Sequence, residues 1–145
     1  VNQEENFKLE EWEAAVGKVV TSVVRVEGEL LLKYEEHLSR KMYFKEDVTV
    51  AKRLNRVESL YNEICGQTSQ SDKLFSAFRE QVKLRNLVAH NPVYYDNKSG
   101  GFRITNSQSR SKFVEVAILQ EDAKQAFRCC TELTVLLRVW AKNKS

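Results

Sequence analysis

An arginine and a histidine stand five positions apart in Arg85-Asn86-Leu87-Val88-Ala89-His90, and Pro92 follows just beyond. At about 100° per residue, Leu74, Phe75, Ala77, Phe78, Val82, Leu84, Val88 and Ala89 make one broad apolar arc of a helix. Arg85 falls near the middle of that arc, with Gln81 one turn behind it. A guanidinium is permanently charged and is almost never buried without a partner. The position therefore asks for a carboxylate, for which Glu27 and Glu58 are the candidates, or for an anionic ligand.

Pro92 drives Asn91 out of the α region, so the helix ends at about Ala89 to His90. In an unbroken helix His90 stands about 140° from Arg85, on the polar side. At a helix end its ring is free to turn from that direction, and the carbonyl dipoles there favour an imidazolium. A histidine ordinarily titrates near pH 6.5. Beside a permanent cation, such a group suits phosphate chemistry. The plainer alternative makes Arg85 half of a buried ion pair and His90 a cap.

The elements that position this pair follow from apolar spacing. A first helix is predicted from Phe7 to Leu38, with Trp12, Val16, Val19, Val20, Val23, Leu30, Leu31, Tyr34 and Leu38 on one face and Glu27 inside that stripe. His37, near its end, reads as a satisfied or solvated histidine. A break at about Lys41 to Lys45 leads to a second helix, Glu46 to Cys65, with Leu54, Val57, Tyr61 and Ile64 inward and Glu58 at the edge. Gly66 is its C-cap, and Ser69 or Ser71 caps the third helix. A fourth helix spans about Gln120 to Lys142 on Ala123, Ala126, Phe127, Cys130, Leu133, Leu137 and Trp140.

Between the third and fourth helices the pattern changes. Val93-Tyr94-Tyr95 and Phe102-Arg103-Ile104-Thr105 flank a glycine turn and predict a hairpin, with a third strand at Phe113 to Ile118. Tyr94 and Tyr95 stand among Lys98, Arg103, Arg110 and Lys112. Cations interleaved with aromatics suit the phosphates and base faces of a single-stranded nucleic acid. The fold predicted is mainly α: an antiparallel four-helix bundle with a small β-hairpin insert between its third and fourth helices.

Composition sets the outer limits. The 145 residues suit one domain, and the single proline and five glycines favour long elements. No run of eighteen apolar residues and no basic-then-apolar leader is present, which argues against a membrane partner. Cys65, Cys129 and Cys130 form neither a disulfide framework nor a zinc spacing, so a reduced, cytoplasmic protein without a metal or other cofactor is the simplest reading. The net charge of +3 permits an anionic partner without requiring one.

Arg85, Asn86 and His90 together resemble the motif of the HEPN superfamily, α-helical bundles marked by an arginine, commonly a polar residue after it, and a histidine four to six residues along. The resemblance rests on this six-residue stretch and, across residues 1–145, on the helix count of a single HEPN-like domain. It implies a metal-independent endoribonuclease whose site is composed across a homodimer, of the kind found in toxin–antitoxin and phage-defence systems. RNA is then the substrate, and an antitoxin or regulatory protein a possible partner. In that chemistry the RNA 2′-hydroxyl attacks, His90 serves as general base or acid and Arg85 stabilises the phosphorane. Asn86 orients His90 or meets a phosphate oxygen, and Glu27 or Glu58 sets the Arg85 rotamer. The products are a 2′,3′-cyclic phosphate and a 5′-hydroxyl. Some members of the superfamily have lost catalysis, so a non-catalytic module binding a nucleotide, RNA or a partner protein is the alternative.

Overall fold

The computed structural model describes residues 2–38, 49–105 and 111–142, with the side chains at 34, 35, 37, 38, 141 and 142 outside that description. The break at Lys41 to Lys45, the Glu46 helix start, Arg110 and the side chains of Tyr34, His37 and Leu38 therefore fall outside it. The described residues form four helices, α1 (Gln3–Leu38), α2 (Val50–Cys65), α3 (Ser69–His90) and α4 (Val116–Lys142). Between α3 and α4 lie β1 (Val93–Asp96), β2 (Gly101–Thr105) and β3 (Ser111–Val114), an antiparallel sheet in the order β1-β2-β3.

The 36-residue α1 is the element that all the others share. It packs along α4 and also touches α2 and α3, whereas α2 and α3 meet each other over a much shorter contact. Its C-terminal half contributes Val23, Val26 and Leu30 to a core with Leu54 and Val57 of α2, Phe75 and Phe78 of α3, and Leu133, Leu137 and Trp140 of α4. Its N-terminal half contributes Trp12, Ala15 and Val19 to a second core with Phe102, Ile104 and Val114 of the sheet and Leu119, Ala123 and Ala126 of α4. The β-branched residues of α1 carry little intrinsic helix propensity. Burial in these two cores supplies the stability that propensity does not.

The ends of the helices correct several sequence expectations. α1 begins at Gln3 rather than Phe7, because Asn2 Oδ1 accepts the Glu5 N–H at 2.7 Å and Glu4 and Glu5 meet the positive end of the helix. α3 is capped by Thr68, not by Ser69 or Ser71. The Thr68 and Ser71 hydroxyls each accept the other's backbone N–H, at 3.0 and 3.2 Å, in a capping box. Gly66 does close α2, with a positive φ of 86° that suits glycine. The third strand ends at Val114, and Val116 to Ile118 is the first turn of α4, which starts four residues before Gln120. Short apolar runs do not distinguish strand from helix by periodicity. Here the helical choice buries Leu119 completely.

Two inward assignments also fail. Ile64 is 43% exposed and Phe127 is 44% exposed. Phe127 instead lies beneath the Lys18 ammonium, 4.9 Å from its ring centre. Ala89, placed on the apolar arc of α3, is exposed as well.

Candidate functional site

Arg85 does point to the protein side of α3, and its partner is Glu27. Nη1 lies 2.8 Å from Glu27 Oε1, with both side chains about four-fifths buried. Oε1 itself is shut off from solvent and meets no well-aligned N–H, so the contact is an ion pair more than a directed hydrogen bond. Arg85 Nε donates to Asn86 Oδ1 at 2.9 Å. Asn86 therefore steadies the guanidinium, where the resemblance gives it the role of orienting His90 or meeting a phosphate oxygen.

Glu58 takes no part in this arrangement. It meets Arg79 at 2.7 Å, and Arg79 also donates to Asn55 at 2.8 Å, which clamps α2 to α3. The packing of α2 on α3 pairs Glu58 with Arg79 rather than with Arg85.

α3 runs in helical phase through His90, so the histidine keeps its place about 140° from Arg85 and is exposed. Asn91, in extended conformation, ends the helix, and its side-chain amide donates to the Leu87 carbonyl at 2.9 Å. That cap fixes the backbone at His90, and the only sequence sign of it is an asparagine between the last helical residue and a proline. Within one chain the structure does not bring Arg85 and His90 onto the same side of α3.

The insert sorts its candidate residues by strand alternation. In the paired register, Tyr94, Arg103 and Phe113 share the outer face of the sheet, while Tyr95, Phe102 and Val114 share the inner one. Tyr95 packs edge-on against Phe102 at 5.3 Å and is part of the core rather than a free stacking surface. Tyr94 is 48% exposed. Arg103 donates to Asp96 Oδ2 at 2.8 Å and lies 5.7 Å above the Phe113 ring, so its charge is already matched within the sheet. The Arg103 hydrogen bond, with the Lys98 backbone N–H and the Ser99 side chain, holds the Asp96 carboxyl down at about 2. Lys98 is exposed in the turn. Lys112 projects from the other face, at the rim of a cleft of about 180 Å³ lined by Leu84, Leu87, Val88 and Asp122.

Phe113 is the residue of this surface that charge and motif reading passed over. Its ring packs on Gly101, where a Cβ would come within 2.5 Å of it. Lys8 is another: its ammonium binds the Gly100 carbonyl and ties the start of α1 to the hairpin turn. A cleft of about 360 Å³ lies there, lined by Lys8, Glu11, Ser99, Glu115 and Gln120 among others, and it includes neither Arg85 nor His90. Among the described residues no three His, Cys, Asp or Glu side chains are grouped to hold a metal ion, and no helix is long and apolar enough to cross a membrane. Cys129 and Cys130 are buried in α4, and desolvation pushes the Cys130 thiol up to about 12, which makes it a packing residue and not a nucleophile.

Comparison of the chain with profiles of protein families, with characterised proteins and with solved structures finds no match.

Proposed function

We propose that the chain is a HEPN-type helical module, its four helices arranged as a bundle of that kind, acting as a metal-independent endoribonuclease on RNA. The observation that supports this is the Arg85 guanidinium, set on the protein side of α3 by Glu27 and Asn86. A preset guanidinium stabilises the negative charge of a phosphorane without reorganising during the reaction. His90, exposed at the negative end of α3, moves the proton on the 2′-hydroxyl or the leaving oxygen. Because the two side chains leave α3 about 140° apart, the arginine and histidine acting on one phosphate come from different copies of the chain. Tyr94, Lys98 and Phe113 lead the strand toward that site. An antitoxin or other regulatory protein acts by covering it.

The angle between Arg85 and His90 equally favours a second reading, a non-catalytic module that binds RNA or a nucleotide. The two are separated by incubating purified protein with structured RNA in EDTA, beside Arg85→Ala and His90→Ala. The nuclease reading expects cyclic-phosphate ends from the wild type and from neither variant. Binding without cleavage by the wild type rejects the nuclease and retains the module.

A further inference from the structure

The cleft of about 180 Å³ at Lys112 lies where α3, the sheet and the start of α4 meet. Its walls are apolar, with Leu84, Leu87 and Val88 on one side and Ile118 and Leu119 on another. Two charged side chains interrupt them, Lys112 of β3 and Asp122 of α4. Clefts that hold drug-sized ligands run to about 300–1,000 Å³. This one is smaller and admits a single ring system, with any sugar and phosphate left outside.

Its position ties it to the phosphate chemistry of α3. Leu87 lines the cleft, and His90 follows it by three residues, about 60° round the helix, so the two share a side of α3. The sheet brings Lys112 to the same end. Lys112 stands opposite Ile104 in the register. The next residue, Thr105, donates its N–H and its hydroxyl to the Pro92 carbonyl, at 2.9 and 3.1 Å, and Pro92 is two residues past His90. Phe113, beside Tyr94 and Arg103 on the outer face of the sheet, also borders the cleft. A strand laid across that face therefore reaches the cleft over the β3 edge.

The polar groups select the ring. A carboxylate offers two acceptor oxygens side by side and no donor. Of the four RNA bases, guanine alone presents two neighbouring donors, N1–H and the N2 amino group, on its Watson–Crick edge, the edge that single-stranded RNA leaves open to a protein. Asp122 matches that edge with paired, charge-assisted hydrogen bonds. Partial burial pushes the Asp122 carboxyl up and the Lys112 charge draws it back down, so the two groups act on each other across the cleft. A base that lacks the donors leaves the carboxylate unmatched among apolar walls, which sharpens the choice. An apolar side chain of a partner protein would leave it unmatched too.

We infer that this cleft is a base-binding subsite for guanine, with Asp122 reading the base edge and Lys112 beside the adjoining phosphate. The inference rests on the reading of the chain as an RNA-binding module, and not on its being a nuclease.

Fluorescence anisotropy on the whole chain, with strands of about ten nucleotides, tests this. The strands are oligouridine with a central guanosine, adenosine or cytidine, or with none of these. All sugars are 2′-deoxy, so no hydroxyl is present to attack. The wild type is expected to bind the guanine strand at least ~10-fold more tightly than the other three, the discrimination a good bidentate pair supplies. Asp122→Asn turns one acceptor into a donor and should abolish that preference. Ile118→Trp, at a rim position 53% exposed, fills the opening and should abolish it as well. It decides the matter if Asp122→Asn fails to fold by circular dichroism. Four strands bound alike by the wild type overturn the subsite and leave the module standing. A guanine preference that survives either folded variant also overturns the subsite. Failure to bind any strand overturns module and subsite together.

Discussion

Replacing Arg85 by methionine keeps the reach and helix propensity of the side chain but removes its charge. The cost depends on what is left behind. Glu27 Oε1 is shut off from solvent, so its charge loses the cation 2.8 Å away and gains no water in exchange. Exposed ion pairs contribute about 0–1 kcal/mol, and breaking a fully buried one costs about 3–5 kcal/mol. With the two side chains 15% and 21% exposed, this pair falls between those limits, at about 2 kcal/mol. Unfolding entropy for 145 residues is about 0.3 kcal/mol per degree near 60 °C, so Arg85→Met should lower Tm by about 7 °C. Adding Glu27→Gln removes the stranded charge and should return at least half of that loss. The double-mutant cycle then gives a coupling of about 1–2 kcal/mol. Thermal melts of the four proteins, followed by circular dichroism, supply every term. If Arg85→Met melts at or above wild type, or if Glu27→Gln restores nothing, the pair does not hold the α1–α3 contact and the reasoning fails.

The Asp96 carboxyl, held at about 2 against an unfolded value near 3.9, stabilises the hairpin above pH ~4 and loses that contribution as pH falls toward about 2. Carboxylate NMR titration should show this, and Arg103→Ala should move the midpoint back up toward the ordinary range. Thr68→Ala removes the capping box of α3 and should cost about 1 kcal/mol in urea unfolding, with an unchanged m value. Changing Lys98 to glutamate should weaken binding to single-stranded RNA. It should also flatten the log–log salt dependence by about 0.7 units if the lysine meets one phosphate. Unchanged affinity and slope would make the insert scaffold only.

Apolar spacing set the helical class and Pro92 set the end of α3 at about Ala89 to His90, because a 3.6-residue period and a proline act locally. It also set the inward phase of Arg85, and it named Glu27 as one of two acidic partners. The choice between Glu27 and Glu58 was not local. It required the packing of α2 on α3, which gave Glu58 to Arg79. Strand alternation was legible in the run from Val93 to Thr105, but which face met the core was not. Only the packing of Phe102 against Trp12 sent Tyr95 inward and left Tyr94 outside. The run Val116 to Ile118 suited strand and helix equally by pattern, and burial of Leu119 decided for the helix. A sequence records which faces of a helix are apolar, whereas only the tertiary structure shows which of them the chain itself has covered.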